Sequence, residues 1–330
     1  MNKRERPARA AWRGAAAALV ILTAFFLVRG CAFMPWNARG GKTAIRITVC
    51  ADFGKETLKD VSLGVRERSS AMEALRAVAE VETAYGGGFI QAVDGIASQY
   101  EGGAGRKKDW FFYVNGQMAE VGAGAYEVRE GDWLVFDFHS WEYAMFTPAL
   151  AGCFPEPFVH GYAGAPERVT VACARGSREE GERVAGFLAS RTRAPCGVVE
   201  LDAEWRPGRG EYAVLVGTWE ELAVNDMARE ACESRALAGM FAYWDGGEIR
   251  ILDGDGKAAG SAVGSVGLAQ CLGLRLGEGA SALVLAGSDA AGLRALLDHF
   301  LDEDLREPRP VPAVVVFAGG NTMLLPAEGS

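Results

Sequence analysis

The stretch Trp110–Trp141, WFFYVNGQMAEVGAGAYEVREGDWLVFDFHSW, gathers aromatic and β-branched residues into two runs, Trp110–Val114 and Trp133–His139. Such residues favour strands, where they pack on a pleated surface. Asn115-Gly116 follows the first run at once. That pair tolerates the positive φ of a type I′ turn, so the spacing predicts a hairpin. Tyr126–Val128 reads as a further extended run, leading through Glu130-Gly131-Asp132 into the second strand. Side chains alternate across a strand. Trp110, Phe112 and Val114 therefore share one face, and Phe111 and Tyr113 the other. Leu134, Phe136 and Phe138 form one face of the second strand; Trp133, Val135 and Asp137 form its opposite.

Upstream, Ala44–Ala51 (AIRITVCA) alternates as a first strand and Asp60–Arg66 as a second. Ser69-Ser70 is placed to cap a helix over Ala71–Glu82, in which Met72, Leu75, Val78 and Ala79 fall on one face. Gly86-Gly87-Gly88 stops it, Phe89–Val93 is a short strand, and Glu101–Lys108 is a loop. A helix packed across strands in about a hundred residues describes a small α+β domain, residues 44–146.

The SSAMEAL helix start, FIQAVDGI, WFFYVNG and the ending AYEVREGDWLVFDFHSW occur in that order within residues 44–141. Residues 44–141 thereby resemble the C-terminal domain of the transcobalamin and intrinsic-factor proteins, in the form carried by bacterial surface proteins. The resemblance implies a β-grasp-like fold and a cobalamin-like corrinoid as ligand, since in the animal carriers this domain helps to enclose cobalamin.

Residues 147–166, with Pro148, Pro155, Pro157 and Pro166 among several glycines, read as a linker. Beyond it, residues 167–330 alternate strands and helices. Arg168–Ala174, Gly197–Leu201, Glu211–Gly217, Ala282–Gly287 and Ala313–Phe317 read as strands, and Glu179–Ser190, Glu220–Glu230 and Ala290–Leu301 as helices. Gly239–Trp244 and Glu248–Leu252 form a hairpin around Asp245-Gly246-Gly247, and Ser261–Leu272 reads as a small-residue helix. Apolar strands alternating with helices predict an α/β domain with a mostly parallel sheet. ALVLAGSDAAGLRALLDHF, beginning at Ala282, resembles α/β modules of prokaryotic cell-surface proteins.

Lys3, Arg4, Arg6, Arg9 and Arg13 precede the apolar run Ala15–Val28. A basic start before an apolar core is the pattern of an export signal. Residues 1–32 are expected to be a signal peptide or membrane anchor helix, and 33–43 a tether. Leu27-Val28-Arg29-Gly30-Cys31 resembles a bacterial lipobox with Arg29 where a small residue is usual, so Cys31 is either lipidated or part of an uncleaved anchor. The reading places the chain on the extracytoplasmic face of the membrane.

Net charge is −9, with six of the Lys/Arg and one Glu in residues 1–31, so the remainder is more acidic still. That excludes nucleic acid as a natural partner. No CxxC pair, HExxH or GxSxG is present, and Gly41-Lys42-Thr43 lacks the first glycine of a phosphate loop, since Trp36 stands there. Gly287-Ser288-Asp289 is either an anion cradle or a helix cap. The cysteines beyond Cys31 read mainly as free thiols. These features assign no catalytic residue, no metal site and no required cofactor. The aromatic set remains, with two readings: core, or a binding face of Trp110, Tyr113, Asn115, Gln117 and Trp141. The expected function is binding of a small molecule. A cell-envelope module that binds protein or polymer and an extracytoplasmic hydrolase in residues 167–330 are the alternatives.

Overall fold

The computed structural model describes residues 42–101, 104–273, 276, 277, 279, 281–301 and 310–328. The expected signal or anchor (1–32), Cys31 and nearly all of the tether (33–43) lie outside them; Lys42 and Thr43 already belong to the first strand. Among the described residues no helix is long and apolar enough to cross a membrane.

Strands β1 (Lys42–Ala51) and β2 (Glu56–Arg66) pair as an antiparallel hairpin. Ser70 then starts α1 (Ala71–Arg76). Its hydroxyl accepts the Glu73 N–H at 3.2 Å, and Glu73 Oε2 accepts the Ser70 N–H at 2.8 Å, a reciprocal capping box. The helix stops six residues short of the expected Glu82. Val81–Ala84, with β-branched Val81 and Thr83, instead pairs with Phe89–Val93 as a strand. Strands β3 (Lys108–Val114), β4 (Gln117–Met118) and β5 (Trp133–Ser140) complete the first sheet in the order β2-β1-β5-β3-β4. Two of its three inner strands, β1 and β5, run parallel, with Arg46 opposite Trp133. Tyr126–Val128 makes only one bridge, Glu127 to Ser70, and is not a strand.

The predicted hairpin is present: Val114 faces Gln117 across a turn in which Asn115 and Gly116 have φ of 50° and 73°. The predicted alternation holds as well. Trp110, Phe112, Val114, Leu134, Phe136 and Phe138 pack with Ala71, Met72 and Leu75 of α1 in one core.

The second sheet comprises β6 (Arg168–Cys173), β7 (Cys196–Glu200), β8 (Glu211–Thr218), β9 (Val266–Leu272), β10 (Ala282–Gly287), β11 (Val314–Ala318) and β12 (Asn321–Leu325). Helices α2 (Arg178–Ala189) and α3 (Ala290–Phe300) pack on it. The order is β7-β6-β8-β10-β9-β11-β12, parallel through β10 and antiparallel beyond. The sheet is thus mixed, not mostly parallel. The difference originates in the expected helix Ser261–Leu272, which is the end of one strand (Ala258–Ala262) and the whole of β9. Every residue of β9 is buried, Gln270 included, so the run has no solvent-facing period that separates strand from helix. Gly267 brings α3 close: a Cβ there would lie 2.4 Å from Leu296 Cβ. The expected helix Glu220–Glu230 is likewise two, Trp219–Leu222 and Asp226–Glu233, because Asn225 caps the second through the Ala228 N–H at 3.2 Å.

Residues 147–166 are packed, with Ala149, Leu150, Ala151, Cys153, Phe154 and Phe158 all buried. Proline and glycine mark irregular backbone here rather than exposed chain. The Leu150 N–H donates to Gly116 O at 2.8 Å and the Gly152 N–H to Pro312 O at 2.9 Å, so the segment stitches the hairpin to the C-terminal part. Residues 42–330 form one compact unit. A core common to both halves joins Phe53, Tyr113, Trp133 and Val135 to Phe241, Ile249, Val311, Val314 and Val316. The second aromatic face of the first sheet, which exceeds what α1 can cover, is covered by this chain itself. The six described cysteines form no disulfide. Burial pushes the Cys232 and Cys271 thiols up to about 12, which keeps them protonated and unreactive.

Tyr113 is completely buried in that common core, and neither its hydroxyl nor that of Thr147 makes a well-formed hydrogen bond. A buried unpaired hydroxyl costs free energy, so removing it relieves a penalty. Tyr113→Phe should therefore hold or raise stability, by up to about 1 kcal/mol. Urea unfolding measures it, and a clear loss of stability would reveal a strong bond at that oxygen.

Candidate functional site

The five aromatic and amide residues expected to form a binding face do not converge. Trp110 lies in the α1 core, its Nε1–H donating to Ile96 O at 2.8 Å and its ring 5.3 Å from that of Phe138. Tyr113 points the opposite way, into the common core. Trp141 is half-buried beyond the far end of β5, donating through Nε1 to Asp109 Oδ2 at 2.7 Å and meeting the Tyr100 ring edge-on at 4.9 Å. Asn115 spends its whole amide on the fold. Its Oδ1 accepts the Trp133 N–H at 2.7 Å, and its Nδ2 donates to Gly161 O at 2.6 Å and Asp132 Oδ1 at 3.2 Å. Asp132 also accepts from the Tyr126 hydroxyl at 3.0 Å and the Arg129 N–H at 2.8 Å, yet burial raises its carboxyl pKa despite these donors.

Of the five, Gln117 borders an open pocket. It follows the turn, so the hairpin aims it across the seam toward β8. Its Nε2 donates to the Tyr212 hydroxyl at 3.0 Å. The same hydroxyl accepts the Tyr162 N–H at 3.0 Å, and the Tyr162 hydroxyl accepts the Glu120 N–H at 2.9 Å. Around this chain of bonds lies an open pocket of about 470 Å³, lined by Gln117, Glu120, Tyr162, Glu167, Arg209 and Tyr212, among others. That size suits a small molecule. The Tyr212 hydroxyl accepts twice, and no described residue takes its proton, which a ligand carbonyl can accept. The Gln117 Oε1 is without a partner but is sealed from solvent, so it serves the seam and not a ligand. Sequence reasoning found Gln117 but missed Tyr162, inside the supposed linker, and Tyr212, which a strand pattern does not distinguish from core. A lone aromatic in a glycine-rich stretch was the available signal for Tyr162.

Other polar groups serve the fold. His139 Nδ1 lies 2.6 Å from Asp137 Oδ2, and its ring is stacked between Phe53 and Phe111 at 4.4 and 4.0 Å. Both residues are sealed from solvent, so the pair has no access to a substrate. Asp289 caps α3 through the Gly292 N–H at 2.7 Å, and Ser288 Oγ donates to Gly264 O at 2.6 Å and accepts the Val266 N–H at 2.8 Å. Gly287-Ser288-Asp289 is thus a helix cap. Among the described residues no group of three or more His, Cys, Asp or Glu is arranged to hold a metal ion.

Residues 69–140, from α1 to β5, match a family described as a domain of unknown function (DUF4430). No curated protein matches the chain. Among solved structures, haptocorrin in complex with Cbi is similar at 17% identity and a TM-score of 0.26, over 31% of this chain and 26% of that one. The chain therefore spans about a quarter of haptocorrin's length. A Ruminococcus gnavus protein named for metal binding is similar at 15% identity and a TM-score of 0.23, over 30% of this chain and 97% of that one.

Proposed function

We propose that the chain is an exported binding protein without catalytic activity of its own, held at the extracytoplasmic face by residues 1–32, which takes a small molecule in the Gln117–Tyr162–Tyr212 pocket. The observation that carries this reading is the pocket itself: about 470 Å³ at the seam between the halves, walled by two tyrosines, with a Tyr212 hydroxyl proton that no described residue accepts. A cobalamin-like corrinoid is the leading ligand. The sequence resemblance of residues 44–141 favours it, and the order β2-β1-β5-β3-β4 with β1 and β5 parallel is that of a β-grasp-like sheet. Corrinoids also carry carboxamides around an apolar ring, the chemistry that tyrosine faces and an amide would meet. Binding consists of ring contact and amide hydrogen bonds, with no covalent step.

Titration calorimetry of the full chain with cobinamide and cyanocobalamin tests the reading. Wild type should bind one equivalent. Tyr212→Phe removes the oxygen on which two N–H groups converge, and should weaken binding by up to about tenfold. Binding that the variant retains in full would move the site elsewhere. If wild type binds neither corrinoid, the corrinoid reading fails and the envelope-module reading moves ahead.

A further inference from the structure

A second hollow, of about 600 Å³, shares Gly164 and Ala165 with the Gln117 pocket but has the opposite electrostatic character. It is lined by Arg129, His160, Arg191 and Arg193 together with Glu130 and Asp132, in a chain whose net charge is −9. Those two carboxylates and Glu156 beside them are already engaged by donors of the fold. Asp132 accepts from Asn115, Tyr126 and the Arg129 N–H; Glu130 Oε2 accepts the Ala44 N–H at 2.7 Å; Glu156 holds both the Nδ1 and the backbone N–H of His160. Arg191 lies over the Phe187 ring at 3.7 Å and donates to Phe187 O at 3.0 Å. The guanidinium groups of Arg129 and Arg193, by contrast, form no ion pair among the described residues. His160 is seated by a glycine: at Gly131 a Cβ would stand 2.6 Å from its Nε2. The hydrogen bond to Glu156 raises the His160 pKa, with burial opposing.

We infer that this hollow binds the oxyanion of a small anionic ligand, a phosphate or a carboxylate, between Arg129 and Arg193 with His160 as a third donor. Two unpaired guanidinium forks and an imidazolium around one concavity match the paired acceptor oxygens that a carboxylate and a phosphate both present. The inference stands independently of the neighbouring pocket and of any corrinoid.

The test is calorimetry of the full chain with inorganic phosphate and with citrate at low ionic strength, which distinguishes the two sources of the oxyanion. Saturable binding of either at one site is expected, weakening as salt is raised toward about 0.15 M. Arg129→Gln and Arg193→Gln should each weaken it about tenfold without loss of fold, since both side chains are exposed. Arg250→Gln, remote from the hollow, should change nothing. Absence of saturable binding, or an equal loss in Arg250→Gln, overturns the proposal. A pH series with sulfate, whose charge is constant near neutrality, tests His160. Its cationic form binds the anion, so affinity should fall as pH rises through its raised pKa. His160 also faces Glu156, Asp132, Glu130 and the arginines, and His160→Gln separates its titration from theirs by flattening the profile. A profile that His160→Gln leaves unchanged removes His160 from the site.

Discussion

Residues 42–146 expressed alone are expected to show no cooperative thermal transition. In the whole chain Phe53, Tyr113, Trp133 and Val135 are buried against Phe241, Ile249, Val311, Val314 and Val316. A fragment ending at residue 146 returns these four side chains to water. At about 1.5–3 kcal/mol for each large apolar side chain, the loss is roughly 6–12 kcal/mol. Ordinary domains have net stabilities of about 5–15 kcal/mol, so the deficit consumes most or all of what such a fragment has. Near-ultraviolet circular dichroism and a thermal scan measure it, and mixing with residues 147–330 should restore the tertiary signal. A sharp transition in the lone fragment would establish that the α1-side core suffices, and that residues 147–166 join two autonomous domains.

Gly116→Val should destabilise the whole chain by about 2–5 kcal/mol, from two separable causes. The residue has a φ of 73°, where a β-branched side chain is strained. A Cβ at this position would also lie 2.6 Å from Cys153 Cβ, so the side chain collides with the segment that crosses the hairpin. Urea denaturation of Gly116→Val, Cys153→Gly and the double variant separates the causes. The steric part should be partly recovered in the double variant, because close neighbours do not add. The backbone part should remain. A Gly116→Val variant as stable as wild type would mean that the turn has another conformation.

What was legible in the sequence was local. Asn115-Gly116 announces its own turn, and period-two alternation in Trp110–Val114 and Trp133–Phe138 assigns each side chain to a face without knowledge of the partner. Ser70 caps α1 as its place ahead of the apolar-faced run implies. What covers the Tyr113 face was not legible, since the covering residues, Phe241 and Val311–Val316, lie more than a hundred positions downstream. Nor was the pocket: Gln117 meets Tyr212 across 95 residues, and a single polar residue in a strand pattern does not name its contact. The antiparallel half of the second sheet was hidden because β9 is buried on both faces. Signals that depend on period fail where there is no solvent-facing side to set one.

The β1–β2 turn has a consequence for how the chain is made. Phe53 O accepts the Ala313 N–H at 3.1 Å, Gly54 O accepts the Val311 N–H at 2.8 Å, and Lys55 Nζ donates to Pro326 O at 2.5 Å. These strands are thus completed by residues as many as 271 positions further along the chain. Until those residues emerge, the aromatic underside of the first sheet has nothing to lie on, and exposed apolar surface of this kind aggregates. Throughout that interval of synthesis the nascent chain carries a sticky, half-built sheet. Holdase chaperones that shield such surfaces should therefore be found bound to its translation intermediates, and to chains truncated before Val311 more than to the finished protein.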